Sequence, residues 1–190
     1  MKVLMHNPLS GCSFHRMAGW WGHDPVTRFA MPPTFSPIRG AQGFQQSNPC
    51  ILSVVSLLAS LEVFKEAGMM SPIRQRSVGL TARLESRLKE LDTYVPPDHA
   101  EKVDRLAFTI ITPSNPAERG AQLSLVVLPM GRSLMPRIFA KLGERGVIGD
   151  EREPDVIRLA PVALYNTESE IDKAVEAWKA VYEEVAKEGI

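Results

Sequence analysis

Three short stretches hold residues able to do chemistry. Gly19-Trp20-Trp21-Gly22-His23-Asp24 sets two indole rings between glycines and follows them with an imidazole beside a carboxylate. An indole N–H can donate to a phosphate oxygen, and a histidine can hold or protonate a polar substrate. Against this, a tryptophan pair is commonly core, and His-Asp is commonly only a turn. Gly40-Ala41-Gln42-Gly43-Phe44-Gln45-Gln46-Ser47-Asn48-Pro49 is a glycine-punctuated turn leading into an apolar run. If that run is a helix, its free N–H groups and positive dipole end favour an anion, with the Ser47 and Asn48 side chains as added donors. An ordinary helix cap uses the same residues. Arg158, in Val156-Ile157-Arg158-Leu159-Ala160-Pro161, falls on the face of a strand opposite Ile157 and Leu159. Its guanidinium can grip a carboxylate through two hydrogen bonds, reach solvent, or pair with Asp150, Glu151, Glu153 or Asp155. On the strand alone, solvent or an internal pair is the stronger reading.

Other chemistries lack their signatures. There is no GxxxxGKT phosphate loop, GxGxxG, HExxH, CxxC or GxSxG elbow. Ser86-Arg87-Leu88-Lys89 matches SxxK, but it lies in a strongly charged segment without the companion motifs and reads as coincidence. His6, Cys12, His15 and His23 are possible zinc ligands, yet their spacing fits no common finger, so no metal is expected.

The elements that must position these residues follow from patterning. Up to Pro49 the chain is rich in Gly and Pro, which predicts irregular loops. Trp20, Trp21, Phe29, Phe35 and Phe44 carry aromatic area in those loops that something should cover. A helix is predicted from an Asn48 cap, with Pro49 at its first position, to near Gly68; apolar residues on nearly every side predict that it is buried. A second helix runs from a Ser71 cap to about Leu91, with Ile73, Leu80, Leu84, Leu88 and Leu91 on one face. The remainder reads as an α+β unit. Strands are predicted over 107–112, 121–128, 147–148 and 156–160, and helices over 133–144 and 168–187. Thr167-Glu168-Ser169-Glu170 is a capping box for the last helix.

Composition narrows the class. Of 190 residues, 22 Lys and Arg balance 22 Asp and Glu, leaving no basic field to attract nucleic acid. Two cysteines, Cys12 and Cys50, make no disulfide framework. The apolar run from Cys50 to Leu61 is too short to span a bilayer, and Val3-Leu4-Met5 is too short for a signal-peptide core. No membrane association is expected, and the cytoplasm is the expected compartment.

Taken in order, Gly19-Trp20-Trp21-Gly22-His23, Thr27-Arg28-Phe29-Ala30-Met31, Gly40 to Gln45 with Ser47-Asn48-Pro49, Ala59 to Phe64, Glu118 to Leu123, Arg145-Gly146-Val147, and Val156 to Pro161 with Leu164-Tyr165-Asn166 resemble the kynureninase family, in a fungal form. The resemblance implies an α/β chain of PLP-dependent transferase fold type I. It would be represented by the end of the large cofactor domain (1–48), connecting helices (49–92) and an α+β C-terminal small domain (93–190). It further implies a homodimer that uses pyridoxal 5'-phosphate (PLP) to cleave the Cβ–Cγ bond of kynurenine or 3-hydroxykynurenine, in tryptophan catabolism. Trp20 and Asn48 match family positions that bind the cofactor phosphate. His23, Ser47 and Asn48 match positions near the substrate ring, and Arg158 matches the clamp on the substrate α-carboxylate, which reverses the preference drawn from the strand alone. The family's Schiff-base lysine precedes the Gly-Trp-Trp-Gly-His motif and matches nothing in this chain, so no catalytic residue is assigned. The chain alone is expected to be inactive, and a non-catalytic module that pairs with full-length subunits is the alternative. Cys50, Pro32-Pro33 and Ala163 depart from the family pattern.

Overall fold

The computed structural model describes residues 19–189. The leader and three of the zinc candidates, His6, Cys12 and His15, lie outside the described residues. Two compact units divide the chain, Met1–Glu62 and Val63–Ile190.

In the first unit, short 3₁₀ turns at Trp20–Gly22, Arg28–Ala30 and Ala41–Phe44 stand in for longer elements. Glycine and proline at this density disfavour anything more regular. Backbone hydrogen bonds close the loops, from the Asp24 N–H to the Ser36 carbonyl and from the Ile38 N–H to the Gly22 carbonyl, both at 2.8 Å. Helix α1, Ile51–Glu66, follows. Its predicted burial is not observed: Ile51, Leu52, Val54, Val55, Leu57, Leu58 and Leu61 are all exposed, as are Trp20, Phe29 and Phe44. Apolar patterning records what a helix needs covered, and the described residues do not supply that cover. The cap also shifts. The first helical bond runs from the Val54 N–H to the carbonyl of Cys50, not Asn48.

After α1, Gly68 and Met69, at φ of 84° and 66°, break the helical path. Helix α2 spans Met70–Lys89, so Ser71 and Pro72 lie in its first turn instead of capping it. Strands β1 (Ala107–Ile110), β2 (Leu123–Leu128), β3 (Asp150–Arg152) and β4 (Val156–Leu159) form one antiparallel sheet in the order β1-β2-β4-β3. The strand predicted at 147–148 is absent, and pairing starts at Asp150. Gly146 turns the chain at φ 77°, and Gly149 then passes so near β4 that a Cβ there would stand 3.0 Å from the Arg158 carbonyl oxygen.

Helices α2, α3 (Leu134–Glu144) and α4 (Glu168–Glu188) cover one face of the sheet. The core joins Leu80, Leu84 and Leu88 of α2 to Phe108, Leu125 and Ile157 of the sheet and to Trp178 and Tyr182 of α4. Phe108 sits edge-on to both rings, at 5.2 Å from Trp178 and 5.6 Å from Tyr182. Truncating Trp178 to alanine would cost about 3–5 kcal/mol. On the other face, Val95, Ala107, Val126 and Leu128 pack with Ala100 and Val103. The predicted capping box is formed at Thr167 and Glu170, and the predicted α4 stripe of Ile171, Val175, Trp178, Tyr182 and Val185 is buried. Among the described residues no helix is long and apolar enough to cross a membrane.

Candidate functional site

Two of the sequence candidates come together in the first unit. A Cβ on Gly22 would stand 2.7 Å from the Gln45 carbonyl oxygen and 2.8 Å from that of Gly43. Only glycine permits this approach, so the Trp20–Gly22 turn nests against the Gly43–Gln46 backbone. The nesting fixes the Trp20 turn beside the loop that leads into Ser47 and Asn48. Trp20 is 55% exposed, and its ring meets Phe29 edge-on at 5.7 Å. Ser47 and Asn48 are exposed. An indole N–H, a hydroxyl and a carboxamide open to solvent form a donor set suited to an oxyanion.

His23 is placed differently. It is buried, its Nδ1 accepts the Ser36 N–H at 3.1 Å, and its Nε2 lies 3.1 Å from the Thr27 hydroxyl. Because Nδ1 accepts, the proton belongs on Nε2, which donates to Thr27. Both ring nitrogens thus have partners inside the unit. A shallow pocket of about 390 Å³ opens beside it, lined by Trp20, His23, Arg28, Met31 and Phe35.

Arg28 escaped the sequence reading. Its guanidinium lies 4.6 Å over the Trp21 ring and donates to the His23 carbonyl at 3.2 Å, tying the second indole to the histidine. An arginine five residues beyond a His-Asp turn is the signal that could have marked it. At the start of α1, the exposed Cys50 thiol is held below its ordinary range by hydrogen bonds from the backbone N–H and hydroxyl of Ser53.

In the second unit, Arg158 lies on the face away from the three helices, as strand alternation predicts. Cross-strand pairing sets Ser124 on one side of it and Asp150 on the other. Its Nη2 donates to Asp150, one of the four acidic partners the sequence offered, while its Nε is buried without a hydrogen-bond partner. The other Asp150 oxygen accepts from Arg152 at 2.9 Å. Among the described residues no group of three His, Cys, Asp or Glu side chains could hold a metal.

Residues 73–178 match the family described as kynureninase C-terminal domain. The chain is 47% identical to the kynureninase of Eremothecium gossypii over 98% of its own length and 42% of the relative's. It is 49% identical to kynureninase 2 of Neurospora crassa over 92% of this chain and 34% of that one. The chain thus spans less than half the length of these curated relatives. Among solved structures, the cysteine desulfurase CsdA of Escherichia coli superposes with a TM-score of 0.64 at 16% identity, over 90% of this chain and 39% of that one. A C-DES variant with glycine covalently linked to its PLP cofactor gives 0.61 at 19% identity, over 85% and 36%. These two establish the fold, that of the type I PLP-dependent transferases.

Proposed function

Since the chain belongs to the kynureninase family, we propose that it forms the C-terminal part of a PLP-dependent hydrolase, L-kynurenine plus water giving anthranilate plus L-alanine. The 3-hydroxy substrate gives 3-hydroxyanthranilate in the same way. The observation that carries this reading is identity of 47% sustained over 98% of the chain. The three-part division at 48 and 92, a homodimer and a cytoplasmic location belong to the same proposal.

The residues present fit the cofactor's phosphate end. Trp20, Ser47 and Asn48 are open to solvent beside two nested loops, and none carries a charge that would repel an anion. Trp20 and Asn48 would hold the phosphate through N–H donors. When bound, PLP supplies the electron sink for chemistry at the substrate α-carbon. Arg158 binds the substrate α-carboxylate and so orients the α-carbon. Ser47 and Asn48 offer polar contacts to the substrate ring, and His23 reaches it only by exchanging its bond to Thr27. None of these groups is assigned a proton transfer.

A second reading, a non-catalytic module that pairs with longer family members, is supported by the uncovered apolar surface of α1.

The site roles are tested by joining this chain, in trans, to the part of the Eremothecium gossypii enzyme that precedes the matched region. Trp20→Phe should lower PLP retention, and Arg158→Ala should raise KM for 3-hydroxykynurenine. Unchanged values in both variants would remove the assignments.

A further inference from the structure

We infer that Asp150 is a built-in placeholder for a ligand carboxylate on Arg158, handed over to Arg152 when the ligand binds; this rests on the reading of Arg158 as the carboxylate clamp. Three observations carry it. Asp150 stands directly opposite Arg158 in the β3–β4 register, and its Oδ2 accepts from Arg158 Nη2. Its Oδ1 is already engaged by Arg152 Nη1 at 2.9 Å. The Arg158 Nε is buried with no hydrogen-bond partner.

A carboxylate that binds a guanidinium side-on accepts from Nε and Nη2 together. Asp150 takes one of these two donors and leaves the other unmet, and a buried unmet donor is costly. An incoming carboxylate can satisfy both, so it has an advantage over the resident one. The displaced Asp150 is not stranded, because its bond to Arg152 persists and its side chain is 45% exposed. Until the ligand arrives, the same aspartate keeps the Arg158 charge from standing unpaired in a site only 28% exposed. The exchange swaps one ion pair for another and leaves no charge uncompensated.

The test follows the Arg158 Nε–Hε resonance of the full chain by NMR, assigned by its loss in Arg158→Lys. The probes are L-kynurenine and kynuramine, its analogue without the carboxylate. The wild-type resonance should shift saturably with L-kynurenine and ignore kynuramine. Asp150→Asn removes the competitor and should bind L-kynurenine about three- to fivefold tighter, the range of one partly exposed ion pair. Arg152→Ala leaves Asp150 no other partner and should bind correspondingly weaker. Equal or weaker binding in a folded Asp150→Asn chain overturns the placeholder and makes Asp150 a mere support for Arg158. If Asp150→Asn loses its dispersed spectrum, Arg152→Ala decides: weaker binding sustains the inference and unchanged binding overturns it. A wild-type resonance that ignores L-kynurenine overturns the clamp itself, and the placeholder with it.

Discussion

Gly19 passes so close to Gln46 that a Cβ built on the glycine would stand 2.2 Å from the Gln46 Cα. No rotamer change relieves a clash with backbone, so Gly19→Ala must part the Trp20 turn from the Gly43–Gln46 loop. The Ile38 N–H bonds to the Gly22 carbonyl within the same nest, and its hydrogen exchange should accelerate at least about fivefold for a strain of about 1–3 kcal/mol. Gly120 has nothing within 4 Å, and Gly120→Ala should leave that amide unchanged. Equal exchange in all three proteins would show that the nest does not depend on close approach.

The connection between β1 and β2 is pinned by a buried ion pair. The side chain of Arg119, 4% exposed, meets Glu85 of α2 at 2.5 Å, and Arg74 donates to the Arg119 carbonyl at 2.8 Å. Arg119→Ala leaves Glu85 with Lys89 as its remaining cation and should cost about 1–3 kcal/mol in denaturant unfolding. Burial pushes the Glu85 carboxyl up, but hydrogen bonds from Arg119 and Lys89 outweigh it and hold the group below its ordinary range. A carboxyl depressed on folding contributes stability that is complete above the unfolded value near about 4.3 and is lost as pH falls through the lower folded value. The stability gap between wild type and Glu85→Gln should therefore narrow on acidification. A gap that widens would contradict the pairing.

At the start of α4, the Thr167 hydroxyl accepts the Glu170 N–H while the Glu170 carboxylate accepts the Thr167 N–H at 2.7 Å. Thr167→Ala should lower the stability of the second unit by about 1 kcal/mol, seen as a lower denaturation midpoint at unchanged m-value. No change would mean that the last helix is held by its buried stripe alone.

Leu58 lies exposed on α1. Leu58→Glu should change the unfolding free energy of this chain by less than about 0.5 kcal/mol, whereas a buried leucine would lose several. A loss of that larger size would show that α1 is covered in solution.

Much of the second unit was legible because local rules and packing agree there. The α4 stripe, its capping box and the alternation that sets Arg158 apart from Ile157 and Leu159 all follow from spacing. The strand predicted at 147–148 is absent and pairing starts at Asp150, after Gly149, whose close passage beside β4 leaves no periodic trace in the sequence. For α1, pattern and environment part company: its apolar residues were read as a need for burial, and nothing among the described residues meets that need. At the candidate site, residue types revealed the donors, but the nesting by Gly19 and Gly22, the Arg28 stack and the choice of Asp150 over three neighbouring acids are three-dimensional facts. The first helical bond is accepted by Cys50 instead of the predicted Asn48 cap, a shift within the ordinary spread of helix ends.

The most direct test of the account is turnover of 3-hydroxykynurenine by this chain combined with the preceding part of the Eremothecium gossypii kynureninase, followed as release of 3-hydroxyanthranilate. The account predicts PLP-dependent product formation that requires both polypeptides and falls at least tenfold in kcat/KM with Arg158→Ala, equivalent to about 1.4 kcal/mol of lost transition-state binding. A soluble, assembled pair that releases no product, or an Arg158→Ala pair as active as the wild type, would contradict it.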